Sequence, residues 1–157
     1  MKFIFCADDT TEDKIIRFFD GGIYNHVGIV VEGTPLGDRV YESVIGVGVR
    51  NRQLASFKTD HARWEIVEVP STTDASGLVF LDSQIGAPYD TLALWLRMLH
   101  ISYSTPGKWY CVNYATNYAV KASSMLSLPE LNIGVNDLYQ LAKAHEVSDV
   151  VGSAPGA

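Results

Sequence analysis

The pattern of the chain changes at Pro70, and that change constrains the fold more than any single residue does. Before it, short apolar or alternating runs recur between turn signals; after it, apolar residues fall at helical spacing. Phe3 to Cys6 reads as a short buried strand. His26 to Glu32 is an apolar, β-branched run bounded by Gly33, Pro35 and Gly37, the composition of a central strand, with Arg39 to Val44 as its hairpin partner. Gly46 to Arg50 continues as a third strand, and Trp64 to Val69 alternates until Pro70 ends it. Two helices interrupt this half: one capped by Asp8 to Thr11, with apolar positions Ile15, Ile16, Phe18 and Phe19 and a stop at Gly21-Gly22, and a short one across Gln53 to Phe57 capped by Asn51.

Beyond Pro70, Thr73 or Asp74 caps a helix to about Ile85, which Gly86 breaks. A second helix runs from Pro88 to Leu99, a loop with Pro106 and Gly107 covers Ile101 to Lys108, and further helices cover Tyr110 to Ala122 and Asn136 to His145. Strands early and helices late predict an α+β fold, an antiparallel sheet packed against helices. One domain over 1–150 is expected, with a disordered tail over 151–157.

Composition narrows the function. A net charge of −6 and no lysine or arginine run argue against nucleic acid or an anionic membrane surface as partner; Arg50 and Arg52 form only a close pair. The longest apolar stretch, Thr91 to Leu99, is interrupted by Arg97 and is too short to span a bilayer. Met1-Lys2 leads through a short apolar run into Asp8-Asp9, which is no secretory signal, so a cytoplasmic location and two free thiols, Cys6 and Cys111, are expected.

The residues with chemistry to offer are few. His26 opens an apolar strand, where a histidine is often just a satisfied core residue. Cys111 follows the Pro106-Gly107 loop at the front of a helix with apolar positions Val112, Ala115, Ala119 and Ala122. Buried cysteines are mostly inert, but a helix N-terminus favours a thiolate and offers N–H groups to an oxyanion. Glu42 lies on the strand paired with that of His26, where a carboxylate reaches the imidazole and fixes its tautomer; its alternative is a solvated strand glutamate. Gly86-Ala87-Pro88-Tyr89-Asp90 delivers an aromatic ring and a carboxylate just before a helix, and Asp90 also suits a plain N-terminal helix charge. The four histidines and two cysteines show no metal-ligand spacing, and neither a phosphate-binding glycine loop nor a GxSxG elbow occurs, so no metal and no cofactor are expected.

Four segments in this order, Tyr24-Asn25-His26-Val27-Gly28-Ile29, Tyr41-Glu42-Ser43 with Gly48-Val49 and Leu54 behind it, Gly86-Ala87-Pro88-Tyr89-Asp90, and Trp109-Tyr110-Cys111, resemble the permuted branch of the NlpC/P60 superfamily. That branch includes YiiX-like and YaeF-like hydrolases and, more remotely, the lecithin:retinol acyltransferase group. The resemblance extends over about residues 1 to 145. It implies a circularly permuted papain-like thiol hydrolase with Cys111 as nucleophile, His26 as base and then acid, and Glu42 orienting the imidazole. Tyr89 would line the cleft, flanked by Tyr24 or Tyr110, with Asp90 beside it. The implied substrate is a small peptide of cell-wall type; the alternatives are lipid acyl transfer, with Leu92, Trp95, Leu96 and Leu99 as the apolar groove, or a non-catalytic module on the same scaffold. Two departures stand out: Val112-Asn113 follow the cysteine where the family commonly carries Ser-Glu, and Met1-Lys2 replaces an N-terminal Gly-Asp. A short chain with such drift suits a phage or other mobile element.

Overall fold

Five antiparallel strands in the order β4-β3-β2-β1-β5 form one sheet, so the first strand of the chain lies inside the sheet rather than at its edge. The computed structural model describes residues 1–8, 11–71, 75–122 and 133–147, with side chains except at 11–13, 15 and 16. The expected tail over 151–157, the helix caps at Thr73 and Asp74 and the apolar positions Ile15 and Ile16 fall outside what is described. The strands are β1 (Lys2–Ala7), β2 (His26–Val31), β3 (Arg39–Val44), β4 (Gly48–Gln53) and β5 (Arg63–Glu68). The helices are α1 (Thr11–Asp20), α2 (Leu54–Asp60), α3 (Ala75–Ser83), α4 (Thr91–Met98), α5 (Cys111–Lys121) and α6 (Val135–Ala144).

Alternation along β1 sends side chains to two cores. Phe3, Phe5 and Ala7 join Val27, Ile29 and Tyr41 in the larger core, which takes in α3, α4, α5 and α6 through Leu81, Leu94, Tyr114, Ala115, Tyr118 and Leu138. Ile4 and Cys6 face the other way with Val30, Val40, Leu54 and Phe57, under the short helix α2. Gly77 on α3 makes the close crossing with α5 feasible: a methyl there would meet the Tyr118 ring at 2.6 Å and Ala122 at 3.2 Å.

Three local expectations need correction. β4 runs on to Gln53, so Asn51 caps nothing; it pairs with Tyr41 across the sheet and its side chain accepts from Arg39, while α2 starts after Gln53 with no side-chain cap. Pro88 and Tyr89 stay extended, with Tyr89 bridged to Trp109, and α4 begins at Thr91 because Asp90 caps it. Phe18 and Phe19 are not packed inward: they are exposed and meet each other edge to face at 5.5 Å. Among the described residues no helix is long and apolar enough to cross a membrane.

Candidate active site

The first residue of β2 and the first residue of α5 meet at one end of the sheet. His26 begins β2 and Cys111 begins α5, and the thiol is within hydrogen-bonding reach of the imidazole. His26 Nε2 lies 2.8 Å from Glu42 Oε2, which leaves Nδ1 as the ring nitrogen for the thiol. Ile29 pairs with Tyr41, so the continuing register sets Glu42 against Gly28 and makes His26 its diagonal neighbour. Gly28 contributes no side chain to that corner, and a methyl there would run into Val40 at 2.7 Å.

Glu42 is almost wholly buried, at 1% exposure, and is nonetheless a carboxylate. Burial pushes its pKa up, but the hydrogen bond and charge of His26, then the charges of Arg52 and Arg50, outweigh this and hold it down at about 2. Arg50 approaches Glu42 Oε1 with Nε at 3.0 Å and Nη2 at 2.9 Å. Arg52 Nε lies 2.9 Å from the same oxygen, an ion pair that falls short of hydrogen-bond geometry. One carboxylate oxygen thus serves two cations and the other serves the imidazole. For His26 burial works downward, but hydrogen bonds to Cys111 and Glu42 and the charges of both raise its pKa to about 10. The imidazolium form is favoured whenever the thiol is ionised.

Two loops carry the remaining walls. Gly48, at φ 90°, is pressed against the Ala87 carbonyl, where a Cβ has no room. Val49 N–H donates to Ala87 O at 2.8 Å and Gly86 N–H to Val49 O at 2.9 Å, which docks the Gly86 to Tyr89 segment on β4. Trp109 N–H then donates to Pro88 O, and Asp90 N–H to Trp109 O, each at 3.1 Å. This lattice places the Tyr89 hydroxyl against the thiol and backbone N–H of Cys111. Burial first, then the charges of Cys111 and Tyr110, push the phenol well above its ordinary value, while the Cys111 N–H works the other way. Tyr110 precedes α5 without a side-chain cap, so the first turn of that helix is not closed off by a capping group.

Of the other residues singled out in the sequence, Tyr110 lines a narrow cleft with Cys111, Tyr89, Asn25, Leu94 and Met98. Val112, in the place of the family's serine, also lines it. Tyr24 is buried and directs its hydroxyl to Glu65 at 2.7 Å, in an aromatic group with Phe5 and Tyr139. Asp90 spends both oxygens on structure: Oδ1 accepts from Ala93 N–H and the Thr105 hydroxyl, each at 3.0 Å, and Oδ2 from Thr105 N–H at 2.6 Å. Sequence reasoning gave no task to Arg50, Arg52, Ser43, or the pair His61 and Asp8, whose Nδ1 to Oδ2 distance is 2.6 Å. The register held a clue to the first, since Arg50 stands directly opposite Glu42. Ending the strand at Arg50 hid Arg52.

The chain is similar in structure to metalloprotein yiiX from Escherichia coli O157:H7, DUF1105, with a TM-score of 0.61 and 17% sequence identity over 91% of this chain and 77% of that one. The likeness establishes a YiiX-like arrangement of the mixed α and β elements. No protein-family model matches the chain, and no curated protein matches it. That neighbour is called a metalloprotein, but the side chains here do not fit a metal ion: among the described residues no three His, Cys, Asp or Glu groups gather to hold one. In the nearest such pair, His61 with Asp8, the Arg52 guanidinium lies 3.0 Å from the other ring nitrogen of His61 and takes up its lone pair.

Proposed function

We propose that the chain is a thiol hydrolase of circularly permuted papain-like type, acting on an amide bond in a small peptide of cell-wall kind. The observation that carries this reading is the unbroken series Cys111 thiol, His26 imidazole, Glu42 carboxylate, with the thiol at a helix start. His26 already holds the proton as imidazolium when Cys111 Sγ attacks the carbonyl carbon, and the carbonyl oxygen becomes an oxyanion. The Tyr89 hydroxyl and the Cys111 N–H, which neighbour each other beside the thiol, would donate to that oxygen. Collapse breaks the C–N bond as His26 returns its proton to the leaving amine, leaving an acyl group on sulfur. Water, deprotonated by His26, then releases the acid and restores the thiol. Glu42 keeps its charge throughout and orients the imidazole.

Acyl transfer on lipids is the second reading, and one observation favours it: Leu92, Trp95 and Leu99 stand exposed along α4, next to the cleft that Leu94 and Met98 line from the same helix. Offering the protein a mixture of muropeptides, other peptides and acyl lipids, and identifying the adduct on Cys111 by mass spectrometry, separates the readings. A peptidyl adduct lost in Cys111→Ala and His26→Ala is expected. A fatty-acyl adduct alone would select the second reading, and no adduct with equal, slow iodoacetamide labelling of Cys6 and Cys111 at pH 6 would leave a non-catalytic module.

A further inference from the structure

Behind Glu42, on the face away from the thiol helix, lies a second layer of charged side chains with no part in the chemistry just described. Arg52 is its hub. Its Nε faces Glu42 Oε1 at 2.9 Å, one Nη pairs with Asp60, and the other lies 3.0 Å from His61 Nε2. The guanidinium carbon sits 4.7 Å from the centre of the Phe57 ring, which is fully buried. Both Nη nitrogens and the flat face are therefore engaged, and Nε meets Glu42 as an ion pair without a hydrogen bond. Arg50, by contrast, is more than twice as exposed, 39% against 17%, and approaches Glu42 from the rim.

The direction of each hydrogen bond in this layer follows from chemistry. A guanidinium only donates, so His61 Nε2 accepts and the ring proton sits on Nδ1. Nδ1–H then donates to Asp8 Oδ2 at 2.6 Å, while Ala62 N–H holds Asp8 Oδ1 at 3.0 Å. The backbone N–H of Asp8 donates to the side-chain oxygen of Asn25, the residue before His26. A closed circuit results, from His26 through Glu42, Arg52, His61 and Asp8 back to the start of β2.

We propose that Arg52 is the positioning residue of this site: it fixes the Glu42 carboxylate so that Oε2 stays on the imidazole, and His61 with Asp8 fixes Arg52 in turn. This rests on the thiol-pair reading above. A glutamate side chain has several torsions to lose, and a misdirected carboxylate releases the imidazole from the orientation that meets the thiol. If Arg52 were only a counter-charge for a buried carboxylate, any cation would serve, and Arg50 would matter as much. Positioning needs the planar fork, which a lysine ammonium does not reproduce.

The test is the pH profile of Cys111 alkylation by iodoacetamide in the full chain, read site by site by mass spectrometry, with folding followed by circular dichroism. Arg52→Met keeps the stem against Phe57 and removes the fork, and Arg52→Lys keeps the charge. Relative to wild type at pH 6, Arg52→Met is expected to slow alkylation about tenfold and Arg52→Lys to recover less than about threefold of that, while Arg50→Met, which also removes a partner of Glu42, slows it by about threefold only. His61→Phe, which keeps a ring beside Phe57 and removes the acceptor, should lose about threefold; it also decides the matter if Arg52→Met does not fold, since an unchanged profile in His61→Phe overturns the proposal. A wild-type profile in Arg52→Met, full rescue by lysine, or equal damage from Arg50→Met overturns it while leaving the thiol pair intact. If wild type alkylates no faster at pH 6 than His26→Ala, the thiol-pair reading fails and the proposal falls with it.

Discussion

The hydroxyl of Ser43 donates to the carbonyl of Trp109 at 2.6 Å, joining the residue after the acid to the turn that leads into the thiol. Ser43 is completely buried, and the Trp109 indole N–H is anchored separately to Gln84 at 2.9 Å. Ser43→Ala removes a direct hydrogen bond between the strand of the acid and the approach to Cys111. Because Trp109 O also accepts from Asp90 N–H, the carbonyl is not left bare, and a loss of about 1 kcal/mol is expected in urea unfolding. Alkylation of Cys111 should slow at the same time.

Glu42 makes stability depend on acid. Its pKa is held near 2, below the 4.5 of a free glutamate, so the unfolded chain binds the proton first as pH falls. The stabilisation is present in full above pH 4.5 and disappears as pH drops through 2. A depression of this size corresponds to about 3 kcal/mol. Unfolding curves of wild type and Glu42→Gln between pH 7 and pH 2 should converge over that window; parallel curves would remove the carboxylate from the acid response.

Tyr89→Phe separates the hydroxyl from the ring. The ring keeps its place between the Gly86 segment and Trp109, so the melting temperature should hardly move. The lost donor beside the Cys111 N–H is expected to slow acylation about a hundredfold with little change in KM, the pattern of an interaction made in the transition state. A rise in KM alone would make Tyr89 a wall of the cleft and no more.

Away from the site, His100 ends α4 in the left-handed region at φ 59°. Its N–H donates to Arg97 O at 2.8 Å and the N–H of Ile101 to Leu96 O at 2.9 Å, the closing pattern usually completed by glycine. His100→Gly should raise stability by about 0.5 kcal/mol, the relief of the Cβ exceeding the entropy added to the unfolded chain. Thermal melts check this, and Cys111 labelling should be unaltered.

The strands, the antiparallel pairing and α5 were legible in the sequence because alternation, turn residues and helical spacing coincide there. Val112, Ala115, Ala119 and Ala122 are all buried as their spacing requires. His26, Glu42 and Cys111 could be chosen because each carries a chemical group rare in its setting. What the sequence concealed depends on register and reach. Arg52 and His61 meet only because β4 continues past Asn51, and Phe18 and Phe19 look like core residues until their neighbours are placed. Tyr24 fits a cleft by its position before His26, yet its hydroxyl is drawn to Glu65 by a carboxylate distant in sequence.

The order of the elements along the chain sets a schedule for reactivity. The last strand closes at Glu68, and His26 and Glu42 lie in the sheet before it, whereas Cys111 arrives only after α3 and α4. A ribosome delivers the base and acid while the nucleophile is still unmade, and folding proceeds from the N-terminal side. The thiol therefore meets its proton acceptor only when α5 seats on a finished sheet, so that a nascent or truncated chain holds a poised imidazole with nothing to activate.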